Sequence, residues 1–186
     1  MQKKTPRTFF TADTHFGHAN IIRYCGRPFQ TKEEHDRTII QNWNAVVSPK
    51  DTVYHLGDFG FGPAEDLRKI AGKLQGRIHF IRGNHDKPST LEIIGGRFST
   101  IKDVHVIKPF VNGRKVEIFL SHYAHRTWFK SNHGSWHLWG HSHGNMPPWG
   151  LSFDVGVDCW NFTPISLEQI DEKIQTLTKQ LDYCPE

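Results

Sequence analysis

Five short apolar runs in this chain each end on a residue able to hold a metal ion. Phe9-Phe10-Thr11-Ala12 leads into Asp13-Thr14-His15, and Val53-Tyr54-His55-Leu56 into Gly57-Asp58. Ile78-His79-Phe80-Ile81 leads into Gly83-Asn84-His85-Asp86, Ile118-Phe119-Leu120 into Ser121-His122, and Leu138-Trp139 into Gly140-His141-Ser142-His143. Short apolar runs read as buried strands, and open α/β sheets place their sites beyond the carboxyl ends of the strands. The pattern therefore predicts five ligand-bearing loops at one edge, a polynuclear metal site and hydrolytic chemistry.

The 186 residues, 37% of them hydrophobic, suit a single compact domain over 1–186. A net charge of +4 and a pI near 9.0 favour a phosphate-bearing substrate. The basic residues are scattered, so the support for nucleic acid is weak. Cys25, Cys159 and Cys184 form no C-x-x-C pair, which argues against a disulfide framework or a thiolate zinc site. No apolar stretch approaches the ~20 residues that span a bilayer. The basic start, Met1 to Arg7, is followed only by Thr8 to Ala12, too short for a signal peptide, so a cytoplasmic location is expected.

The first half reads β-α-β-α-β, the pattern of a layered α/β fold. Strands are expected at Arg7–Ala12, Asp51–Leu56 and Arg77–Arg82, with a loop over Asp13–Gln30. Thr31 and Glu34 form a capping-box pattern for a helix to about Val47, with Ile39, Ile40, Trp43 and Val46 buried. Pro63 starts a second helix that runs to about Leu74 and is closed by Gly76. In the second half Asn112-Gly113 marks a hairpin between Ile101–Phe110 and Lys115–Leu120. Further strands are expected at Trp136–Trp139 and Ser152–Val157, and a final helix over Leu167–Leu181 with Ile170, Ile174, Leu177 and Leu181 on one face. The fold class expected is α/β, with two mixed sheets packed together and helices outside.

The ligand candidates are Asp13, His15, Asp58, Asn84, His122, His141 and His143. Oxygen and imidazole donors without sulfur favour first-row ions, manganese first, with iron, nickel or zinc as alternatives. Seven ligands exceed the needs of one ion. They suit two ions that share a carboxylate, roughly 3.5–4 Å apart. Each motif alone is commonplace; their order and their position after apolar runs carry the signal.

The ordered set D-x-H, G-D, G-N-H-D, S-H and G-H-x-H resembles the calcineurin-like metallophosphoesterase superfamily over Asp13 to His143. The resemblance implies a four-layer α/β/β/α sandwich. It implies that Asp13, His15 and His143 hold one ion, that Asn84, His122 and His141 hold the other, and that Asp58 bridges them. His85 would be the catalytic histidine that binds no metal, and Asp86 would orient it. Two features depart from the pattern. Phe59-Gly60-Phe61-Gly62 lacks the charged residue that many members carry after G-D, and Ser121 stands where glycine is common.

The expected reaction is in-line attack on phosphorus by a hydroxide bridging two cations, with an imidazolium stabilising or protonating the leaving alkoxide. Phosphodiesters are preferred over phosphomonoesters, because the compact chain resembles the small bacterial phosphodiesterases of the superfamily. Nuclease or RNA-end processing is a second reading, and a non-catalytic metal-binding scaffold a third. His18, Asn20, Arg23 and Arg27 are candidates for holding the substrate phosphate or, equally, for capping and tethering the long loop. Trp128, Phe129, Trp136, Trp139, Trp149 and Trp160 read as core before they read as base-stacking platforms. His55 reads as a core histidine, and His125, His133 and His137 as surface or supporting groups. Glu33-Glu34-His35-Asp36 reads as a solvated helix face.

Overall fold

The computed structural model describes residues 5–179. In chain order the elements are β1 (Thr8–Thr11), α1 (Ala19–Tyr24), α2 (Lys32–Val46), β2 (Thr52–His55), α3 (Ala64–Lys73), β3 (Arg77–Ile81), α4 (Pro88–Ile94), β4 (Phe98–Lys102), β5 (Val104–Ile107), β6 (Phe110–Val111), β7 (Arg114–Lys115), β8 (Ile118–Ser121), β9 (Trp136–Trp139), β10 (Ser152–Asp154), β11 (Ile165–Ser166) and α5 (Leu167–Gln175). Two mixed sheets result, in the orders β11-β1-β2-β3-β4 and β10-β9-β8-β5. The expected pair of packed sheets with helices outside is the observed fold.

Alternation along β1 explains the layering. Phe9 points to the helices and packs with Ile39, Trp43, Val53, Leu67, Ile78 and Phe80. Phe10 points the other way, into the core between the sheets, with Leu56, Ile118, Leu120, Leu138 and Phe153. A parallel sheet covered on both faces needs apolar residues on both, hence runs rather than alternation in the sequence. α2 begins at Thr31, whose hydroxyl accepts from the Glu34 amide at 3.1 Å. The return arm of the expected capping box lands one residue early, with the Glu34 carboxylate accepting from the Gln30 amide at 2.8 Å. Leu167, Ile170 and Ile174 of α5 close the inter-sheet core.

Several boundaries differ from expectation. α1 forms inside the expected loop 13–30, and α4 and β11 are additional elements. The expected long strand Ile101–Phe110 is divided at Asp103. β4 lies parallel to β3 in the first sheet, and β5 lies antiparallel to β8 in the second. Arg82 grips Asp103 at this crossover, through bonds of 2.7 and 2.6 Å. The hairpin at Asn112-Gly113 exists, but it joins only β6 and β7. Positive φ at Asn112 (48°) and Gly113 (76°) fits a tight two-residue turn. The expected strand Ser152–Val157 stops at Asp154, and the last helix stops at Gln175; Leu181, like Cys184, lies outside the described residues.

Candidate metal centre

The carboxyl ends of β1, β2, β3, β8 and β9 open on one edge, where their loops are laced together. The Asp13 amide donates to the Gly57 carbonyl, that of His15 to Asp58, and that of Gly140 to His122. Non-glycine residues rarely take positive φ, and such strain gathers at functional sites. Among the described residues nine do so, and five of them are ligand candidates: Asp13, His15, Asp58, His141 and His143.

Two groups of donor atoms come together. In one, ligand atoms of Asp13, His15 and His143 lie within 4.8 Å of one another; in the other, those of Asp58, His122 and His141 do. Asp58 Oδ2 stands between the groups, 3.6 Å from His15 Nε2 and 3.5 Å from His122 Nε2. Asn84 Oδ1 lies 3.0 Å from His122 Nε2 and so joins the second group. All seven ligand candidates therefore meet at this edge.

The imidazoles are aimed by their other nitrogens. His122 Nδ1 donates to the Leu56 carbonyl at 2.7 Å, and His143 Nδ1 to Asp158 Oδ2 at 2.7 Å. Once each ring is neutral, Nε2 is left as the acceptor, the arrangement seen in metal-bound histidines. Asp158 is also near Cys25, but Arg27 and His143 already occupy both its carboxylate oxygens, so it acts as a support.

The donors fit divalent cations on the structure's own terms. Asp13 Oδ1 and both ring nitrogens of His15 are buried without a hydrogen-bond partner, a costly state unless something else binds them. Burial pushes the Asp13 carboxyl up to about 8 and the His15 imidazole down to about 2. Burial also opposes charge on His122, but its hydrogen bond to Asp58, the nearby Asp13 and Asp58 carboxylates and its bond to the Leu56 carbonyl together outweigh this and hold it up to about 9. A divalent cation held by these donors would displace the protons of Asp13 and His122. Affinity therefore rises with pH, by about tenfold per unit for each proton displaced, as far as those values. Calorimetric titration with Mn²⁺ between pH 6 and 8 checks this; a pH-independent affinity would contradict it.

His85 stands at the rim, its side chain 45% exposed and its Nε2 4.0 Å from Asp58 Oδ2. Asp86 does not act on it as expected. Its carboxylate accepts from the amides of Asp58 (2.7 Å), Gly83 (2.7 Å) and Phe59 (3.0 Å), stapling the two loops together. It thus supports the loop that lacks a charged residue of its own. Phe61 fills that space instead, stacked on His18 at 4.1 Å and on His15 at 5.8 Å.

Of the phosphate-binding candidates, His18 lies beside His15, with ring centroids 5.6 Å apart. Asn20 and Arg23 are exposed on α1. Arg27 is 4% exposed. All five of its N–H donors are taken, by Asp158 (2.8 and 2.7 Å), the carbonyls of Asp13 (2.8 Å) and Thr14 (3.2 Å), and His35 Nε2 (2.6 Å). Of the two roles expected for Arg27, the substrate contact is thereby corrected and the loop tether is the one seen. His35, expected on a solvated face, is buried for the same reason; it donates from Nδ1 to Asp36, which accepts from the Gly17 amide.

His55 is a core histidine as expected, its Nε2 donating to Thr14 Oγ1 at 2.9 Å. Trp136 and Trp139 are core residues, while Trp149 is exposed under the Arg126 guanidinium, 3.7 Å from its ring centroid. Asp154 and Asp158 were missed from the sequence. Asp154 holds the His141–Gly144 loop by accepting from Ser142 Oγ (2.7 Å) and the Gly144 amide (3.1 Å). A signal for both was present: Phe153-Asp154-Val155-Gly156-Val157-Asp158 is a sixth apolar run punctuated by carboxylates.

No family model matches the chain. It is 37% identical over 178 residues to an uncharacterized protein of Methanocaldococcus jannaschii, an alignment covering 91% of this chain and 92% of that one. It is 28% identical over 184 residues to the gene 66 protein of Mycobacterium phage L5, covering 82% and 87%. Among solved structures, a protein of unknown function from Aquifex aeolicus superposes with a TM-score of 0.68 at 25% identity, covering 91% of this chain and 100% of that one.

Proposed function

We propose that this chain, which belongs to the family of the Methanocaldococcus jannaschii protein, is a metal-dependent phosphoesterase with two divalent cations, manganese foremost, and a preference for phosphodiesters. The observation that carries the reading is Asp58 Oδ2, one carboxylate oxygen facing both donor groups at 3.6 and 3.5 Å. The motif order that resembles the calcineurin-like metallophosphoesterases supports the same conclusion. Asp13, His15 and His143 would hold one ion, Asn84, His122 and His141 the other, with Asp58 shared.

Such cations, when bound, supply Lewis acidity and bring the pKa of coordinated water close to neutral. The chain's own residues do the rest. Paired donors fix where phosphoryl oxygens bind, so that little reorganisation is needed on reaction. His85, at the rim, donates a proton to the departing alkoxide. Phe61 stacks on His18 at one side of the donor groups, and His18, Asn20 and Arg23 lie on the substrate's approach. A cavity of about 470 Å³ adjoins Asn84 and His122 and is bordered by Arg82, Val104, Tyr123 and His125. It offers room for the second arm of a diester.

The test is hydrolysis by the manganese-reconstituted protein of bis(p-nitrophenyl) phosphate, p-nitrophenyl phosphate, cyclic nucleotides and short RNA. The expected result is a kcat/KM at least about tenfold higher for the diester than for its monoester, a difference of roughly 1.4 kcal/mol in transition-state stabilisation. Equal or inverted preference removes the diester assignment. No turnover with any substrate and any of manganese, iron, nickel or zinc removes the enzymatic reading in favour of a binding scaffold.

A further inference from the structure

We propose that Arg27 and Asp158 are positioning residues for one half of the centre only, the half formed by Asp13, His15 and His143. The proposal rests on the two-cation reading above. Arg27 lies 131 residues from Asp158, yet the two form a bidentate pair, with Nε and Nη2 reaching the two carboxylate oxygens at 2.8 and 2.7 Å. A buried guanidinium is costly unless each donor is matched, and here all five are. Two of those matches are backbone carbonyls of the first loop, Asp13 and Thr14. These lie where the chain takes positive φ at Asp13 (57°) and His15 (47°). Arg27 therefore holds the strained turn that aims both side chains.

Asp158 completes the half from the other side. The same Oδ2 that accepts from Arg27 accepts from His143 Nδ1, which fixes the tautomer and turns Nε2 toward His15; the two rings are 5.1 Å apart. The guanidinium also donates to His35, and His35 to Asp36, so the support is anchored in α2. The second half is held by different groups: Asp86 on the Asp58 amide, and the Leu56 carbonyl on His122. Among the described residues neither Arg27 nor Asp158 bonds to Asn84, His122 or His141, so this support can be removed by mutation without touching a donor of the second half.

The experiment is Mn²⁺ titration of the full chain by calorimetry and electron paramagnetic resonance. It compares the parent with Asp158→Asn and with the double variant Arg27→Met/Asp158→Leu. The double variant removes both charges together, so neither is left buried and bare. The parent is expected to bind two ions with a spin-coupled spectrum. Each variant is expected to keep one ion at parental affinity and to bind the second about 10–100-fold more weakly, the usual effect of losing such a support. The coupled spectrum should give way to a mononuclear signal. Two ions at parental affinity in both variants would overturn the proposal. So would parallel weakening of both ions, the mark of a general structural role. A parent that takes up only one ion would instead strike the two-cation reading itself, before any variant is compared.

Discussion

Replacing His85 with alanine is expected to lower kcat by about 10²–10⁴-fold, the usual contribution of a general acid, with metal content unchanged. The separation of the two readouts follows from geometry. The His85 amide donates to Asp58 Oδ1 at 3.0 Å, and alanine keeps that bond. The ring itself packs only at the rim, its centroid 4.8 Å from Phe61 and 5.7 Å from His15. Its loss leaves the donor groups in place and removes a proton donor. The deficit should therefore grow with the basicity of the leaving group, small for p-nitrophenyl esters and larger for alkyl esters. Metal analysis beside kinetics on the two ester types decides it. Parental turnover with full metal, or a deficit independent of the leaving group, would remove His85 from the chemistry.

The rim and the donor groups were legible because each rests on a local pattern, an apolar run followed by a polar ligand. β1, β2, β3, β8 and β9 all stand where such runs predicted strands. The second sheet's membership was not legible, because it depends on the crossover at Asp103. Ile101 and Val106 are equally strand-like, and only pairing with β3 or β8 separates them. Which of its two expected roles Arg27 takes was not legible, for a related reason. An arginine in a loop rich in glycine and histidine suggests a phosphate contact, and nothing nearby announces a partner 131 residues away. The exposed helix face read into Glu33-Glu34-His35-Asp36 failed at His35 because its partner is that same buried guanidinium. Asp86 shows the converse: the resemblance implied a partner for His85, while the fold spends its carboxylate on three backbone amides.

Gly83→Ala tests how closely the two loops must approach. A Cβ on Gly83 would lie 2.2 Å from Asp58 Oδ1, 2.6 Å from the Asp58 amide nitrogen and 2.9 Å from His122 Cε1. None of these is the free end of a flexible side chain: Asp58 is buried and bonded to His85 and Asp86, and His122 is fixed by the Leu56 carbonyl. The loops must part, so a destabilisation of about 3 kcal/mol is expected, at the upper end for overpacking. Displacing Asp58 by about 1 Å is enough to cost roughly a hundredfold in turnover, and shared coordination should weaken with it. Gly72→Ala, in α3, is the control. Its Cβ would meet nothing within 4 Å, and a helical alanine in place of glycine stabilises by about 0.5–1 kcal/mol. Chemical denaturation of the metal-free proteins should therefore move in opposite directions for the same substitution, with only Gly83→Ala losing Mn²⁺ affinity. If Gly83→Ala folds as stably as the parent and binds Mn²⁺ equally well, the close approach of the β2 and β3 loops is not what holds Asp58 between the two donor groups.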